Sequence, residues 1–140
     1  HFTSCGNFRN VKIKFINLYL CILMPLTTTK IFIMKKGMIK VSVLYPNGEN
    51  KTFDMDYYVN KHLPLVGSLL GDMLKGATVE QGIGGSAPGS TATYAGMGNM
   101  YFNSVEDFGS SFGPNADKIM GDLPNFTNIE PVIQVSEVLV

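Results

Sequence analysis

Tryptophan is absent from the 140 residues, and histidine occurs only at His1 and His62. No indole can stack on a ligand, and any imidazole chemistry away from the N-terminal residue must use His62. Cysteine stops at Cys5 and Cys21. Residues 38–140 therefore offer neither a disulfide framework nor a thiolate metal site. That fits a reducing compartment and a cytoplasmic location. The only arginine is Arg9. Residues 38–140 carry five lysines against all 11 acidic residues, a balance of −6. Such a surface cannot neutralise phosphates, so nucleic acid is not an expected partner. With no second histidine in this part, a metal would rest on carboxylates beside His62 alone, and no metal is expected. "GIGGSAPG" is rich in glycine but lacks the phosphate-loop lysine and the strand–G-x-G-x-x-G–helix context. It reads as a loop, and no nicotinamide-binding pattern appears. No cofactor is expected.

Hydrophobic residues make up 45% of the chain, enough for a folded core. Their distribution splits the chain in two. Residues 1–37 hold Arg9 and five lysines with no acid. Within them, "VKIKFINLYLCILMPL" resembles a signal peptide, yet its apolar run from Phe15 to Leu26 falls short of the ~20 residues that span a bilayer. The bias toward Phe, Ile, Lys, Asn and Tyr, with start-like methionines at Met34 and Met38, also suits an over-extended start. Residues 1–37 are read as a leader of one of these two kinds, and residues 38–140 as the domain, with no membrane role.

In the domain, "MIKVSVLYP" alternates Ile39, Val41, Val43 and Tyr45 with Lys40, Ser42 and Leu44, which predicts a strand ended at Pro46 and Asn47-Gly48. "TFDMDYYVNKHLPLVGSLLG" predicts a helix capped by Asp54, broken or kinked near His62–Leu63 ahead of Pro64 and stopped at Gly71. "LKGATVEQGI" and "YAGMGNMYF" predict two more strands. In the second of these, Gly96 and Gly98 share a face that something bulky approaches closely. Ser104 caps a second helix that pauses at Gly113-Pro114 and resumes to about Met120. "IEPVIQVSEVLV" predicts the last strand.

The order strand, helix, strand, strand, helix, strand is the ferredoxin-like split βαβ arrangement, an α+β fold. It predicts a four-stranded antiparallel sheet with two helices on one face. In the last strand, Val132 and Val138 alternate with Ile133, Val135 and Leu139, so both faces carry apolar residues. The remaining chain is too short to cover the second face. A second copy would cover it, giving a homodimer with facing sheets.

"FDMDYYVNKHLPLV", with its aromatic pair followed by His-x-Pro, and the closing "DLPNFTNIEPVIQVSEV" resemble the EthD family, named for ethyl tert-butyl ether degradation. "FGPNADKIMGD" and "MIKVSVLYP" resemble it as well, so the likeness spans essentially all of residues 38–140. It implies a dimeric α+β barrel and an association with degradation of small organic compounds. Members are often labelled reductases. Relatives on the same barrel include cofactor-free monooxygenases, a lactone isomerase and haem enzymes. Where many members have tryptophan, this chain has Tyr58, so no role resting on an indole carries over.

Tyr58 and His62 stand four residues apart on one helix face, with Asp54 four before. A neutral imidazole suits proton transfer near neutrality, and a phenol can orient a carbonyl or donate a proton. Alternatively, His62 satisfies carbonyls freed ahead of Pro64 or the negative end of the helix. The sheet-facing polar residues Ser42, Asn99, Tyr101, Gln134 and Ser136 are candidates to line a substrate cavity, or to hydrogen-bond across a dimer seam. The expected protein is a cofactor-free oxidoreductase acting on a small hydrophobic organic molecule, with His62 as acid/base and Tyr58 assisting. The alternatives are a lactone-type isomerase and a non-catalytic protein that hands on a hydrophobic intermediate.

Overall fold

The alternation at the start of the domain forms β1, Ile39–Pro46, in the computed structural model, which describes residues 31–140. Three further strands follow: β2 (Gly76–Gln81), β3 (Tyr94–Phe102) and β4 (Val132–Glu137). They form one antiparallel sheet in the order β2-β3-β1-β4. This is the ferredoxin-like order, with the two helical segments in the two crossovers.

The first helical segment differs from expectation at its centre. It comprises α1 (Met55–Tyr57), a π-helical stretch (Tyr58–His62) and α2 (Leu63–Leu70). Of the break or kink expected near His62–Leu63, the chain shows no break, since Leu63 keeps helical angles of φ −62 and ψ −44. Pro64 brings no N–H, and its ring presses on the carbonyl four residues back. The helix widens instead of stopping: the Leu63 N–H bonds the Tyr58 carbonyl, one residue further back than in an α-helix. The ends behave as expected. Asp54 accepts from the Tyr57 N–H at 2.9 Å, and Gly71 turns the chain at φ 57. In the second segment Ser104 accepts from the Asp107 N–H at 3.0 Å and opens α3, Val105–Phe112. A 3-10 turn at Gly113–Asn115 leads into α4, Ala116–Gly121.

The register sorts the sheet residues. Val41, Val43 and Tyr45 face the helices together with Gly96, Gly98, Met100 and Phe102 of β3. Two clusters fill the layer between. Val41, Val66, Leu70, Phe102 and Ile119 form one, and Tyr45, Tyr58, Phe126 and Ile129 the other. The opposite face stays open. On the edge strand β4, Val132 is 51% exposed on the open side, and Ile133 and Val135 are 47% exposed on the helix side, so the helices stop short of this strand.

Of the expected leader, residues 1–30 lie outside the described residues. Phe32 packs on the open face, its ring 4.8 Å from that of Tyr101, where a side chain at Gly76 would overlap it. Gly37 donates to the Val138 carbonyl at 2.8 Å. No helix among the described residues is long and apolar enough to cross a membrane.

Candidate functional site

The widened turn carries Tyr58 and His62, and both are buried, at 3% and 4% exposure. Their rings stack at 5.4 Å with an interplanar angle of 20°. Phe126 packs against both rings, 4.7 Å from the imidazole and 5.2 Å from the phenol. The Tyr58 hydroxyl reaches down to β3 because Gly98 has no side chain there; a Cβ at that position would overlap it. Gly96 likewise makes room for Phe53 and Met55. The close approach expected at these two glycines is thus made by side chains of the first helical segment and of the loop before it.

The partner of His62 comes from the far end of the domain. Asp122 ends α4 and opens the turn Leu123–Asn125. Its Oδ2 lies 2.8 Å from His62 Nδ1, while its Oδ1 accepts from the Tyr57 hydroxyl at 3.0 Å and from Asn125 Nδ2 at 2.8 Å. Burial pushes the Asp122 carboxyl up, but hydrogen bonds from Asn125, His62 and Tyr57 outweigh it and hold the carboxyl below its usual range. An ionised carboxylate only accepts, so His62 donates from Nδ1. In the neutral ring the lone pair then falls on Nε2. Among the described residues Nε2 has no hydrogen-bond partner, and it keeps surface open beside the cavity that His62 lines.

That cavity has a volume of about 70 Å³ and lies between the sheet and the helices. Its walls are mostly apolar, among them Val41, Val66, Met100, Phe112 and Ile119. Tyr45, Tyr58 and His62 supply its polar end. Burial pushes the Tyr58 phenol up to about 12, with the charge of Glu80 adding to the rise and the contact with Tyr45 opposing it. Burial raises the Tyr45 phenol as well, and its contact with Tyr58 raises it further. Both phenols therefore stay protonated near neutral pH and serve as donors. Taken together, the arrangement supplies a base and a hydrogen-bond donor at one end of an apolar pocket.

The remaining expected residues lie elsewhere. Ser42, Asn99, Tyr101, Gln134 and Ser136 have their side chains on the open face of the sheet, across from Tyr58 and His62. Ser42 donates to Asn99 at 2.7 Å, Asn99 donates to Glu80 at 2.8 Å, and Gln134 donates to Ser136 at 3.0 Å. Of these five only Asn99 borders the cavity. Asp54, aligned with Tyr58 in the sequence, serves as the helix cap. Sequence reasoning missed Asp122, Tyr57 and Tyr45. Asp122 stands 60 residues from His62, and no local spacing links the two.

Comparison with known proteins agrees with this fold. The model of the EthD domain matches residues 47–130. A solved EthD-like protein from Ralstonia eutropha JMP134 is 40% identical, with a TM-score of 0.72 over 76% of this chain and 96% of that one. An ethyl tert-butyl ether degradation (EthD) family protein from Bacillus halodurans C-125 shares the fold at 20% identity, with a TM-score of 0.52 over 73% of this chain and 99% of that one. No curated protein matches the chain.

Proposed function

The chain belongs to the EthD family, and from that premise we propose that its domain, residues 38–140, is an acid/base enzyme acting on a small, largely apolar organic molecule held between sheet and helices. The observation that carries this reading is the Asp122–His62 pair. The carboxylate orients the imidazole and supports the imidazolium that forms, and Nε2 is the basic position of a ring that lines an apolar cavity. Tyr58 donates to an oxygen of the bound molecule. Proton removal of this kind opens both an isomerisation and an oxidation, so it is the step common to the lactone-isomerase and oxidoreductase expectations.

Turnover of a panel of small quinones and lactones by the purified chain tests the proposal. His62→Gln should lower the rate on the order of 100-fold or more, the usual worth of a general base. Its stability should stay close to that of the parent, because the glutamine amide still donates to Asp122. A variant that keeps full activity would overturn the assignment of the base. Binding without turnover by the parent chain would favour the hand-on role.

We also propose that two copies pair through their open sheet faces. The half-exposed Val132 stands in register with Leu44 and Met97 on the open face, an apolar strip on a sheet that carries helices on one side only. Light scattering at micromolar concentration should give twice the chain mass. A stable monomer would overturn the pairing.

A further inference from the structure

The polar end of the cavity constrains what the site accepts. Tyr58 can give a hydrogen bond and His62 Nε2 can take a proton, and the two residues, their rings stacked at 5.4 Å, line the same cavity. Everything else around the ligand is close to apolar. A group that needs an acceptor at one atom and an acidic hydrogen at the next is a carbonyl with its α-carbon. The volume sets the size. About 70 Å³ is roughly half the ~150 Å³ cavity that holds benzene, which leaves room for roughly three to five heavy atoms.

We propose that the ligand is a short-chain carbonyl compound, its oxygen on the Tyr58 hydroxyl and its α-carbon against His62 Nε2, with Gly98 and Tyr45 as the positioning residues that hold Tyr58 there. This rests on the acid/base reading above and names its substrate class. The step balances without a co-reactant. Nε2 takes the α-proton, the C–H pair becomes the C=C bond of an enolate, and the C=O pair moves to oxygen, which the Tyr58 hydroxyl stabilises by its hydrogen bond. The imidazolium returns a proton to the α-carbon, the carbonyl re-forms, and the net result is exchange. Gly98 matters because a methyl there would displace the Tyr58 hydroxyl. Tyr45 matters because its ring packs edge-on against that of Tyr58, 5.7 Å away.

Acetone and butanone in heavy water, followed by proton NMR with the full chain, test this without knowledge of the natural substrate. The parent should accelerate α-proton exchange of both ketones. Tyr58→Phe should lower the acceleration about 100-fold, in line with loss of one oxyanion donor. Gly98→Ala should lower it on the order of 10-fold with the fold retained, and should have no further effect in a Tyr58→Phe background. Exchange no faster than in buffer overturns the substrate class. If His62-dependent turnover of quinones or lactones persists in that case, the acid/base reading stands alone. Acceleration unchanged in Tyr58→Phe overturns the seat for the oxygen. Acceleration unchanged in His62→Gln overturns both readings.

Discussion

Asp122→Asn is expected to lower turnover by roughly two to four orders of magnitude while the fold stays intact. In serine proteases the corresponding change costs about 10⁴ by trapping the wrong imidazole tautomer. The same logic applies here for a local reason. Oδ1 of Asp122 receives Tyr57 and Asn125, and Oδ2 receives His62. An asparagine must put its NH2 at one of these sites. At the Oδ1 site the NH2 would meet two donors. At the Oδ2 site it meets one, the imidazole, which can respond by moving its proton to Nε2. That second arrangement is the less costly one, and it removes the lone pair from the cavity. Tyr57 and Asn125 stay satisfied, so stability changes little. Combining Asp122→Asn with His62→Gln should be no worse than His62→Gln alone, because the two residues act as a unit. A rate for Asp122→Asn within 10-fold of the parent would show that the tautomer is held by something other than Asp122.

Phe102→Ala should cost about 3–5 kcal/mol, a large part of the 5–15 kcal/mol that holds a typical domain. Phe102 is 0% exposed. It lies at the end of β3, with the Phe108 ring of α3 at 5.3 Å and Val41, Val66, Leu70 and Ile119 in the same cluster. Both helical segments meet the sheet at this side chain, so its loss leaves a cavity that neither can close alone. Urea unfolding at fixed protein concentration measures the cost. Val105→Ala is the control, since Val105 is 54% exposed and should lose well under 1 kcal/mol. A loss below about 1 kcal/mol for Phe102→Ala would mean that this cluster does not anchor the helices.

The strands were legible because each declares itself within a few residues. Val41, Val43 and Tyr45 repeat with period two, and Asp54, Gly71 and Ser104 mark helix ends by side-chain and backbone chemistry that needs no distant partner. Gly96 and Gly98 announced a close approach by lacking side chains, though not what would approach. The response to Pro64 was not legible. A missing N–H forbids the ordinary bond, but only packing on the sheet decides between a break and a wider turn, and here the helix keeps Tyr58 and Val66 buried by widening. Period two also put Ser42, Asn99 and Gln134 on one face without saying which face carries the cavity. Asp122 sat in a stretch that reads as a turn, and its link to His62 exists only after the chain closes.

The central claim is that Asp122 holds His62 with its basic nitrogen toward the cavity. The 15N shifts of the imidazole ring test it directly, and the spectrum is simple because the chain has only His1 and His62. In its neutral form the His62 ring should show the proton on Nδ1 and an unprotonated Nε2. The result that contradicts the account is a His62 ring carrying its proton on Nε2, with Nδ1 bare beside Asp122.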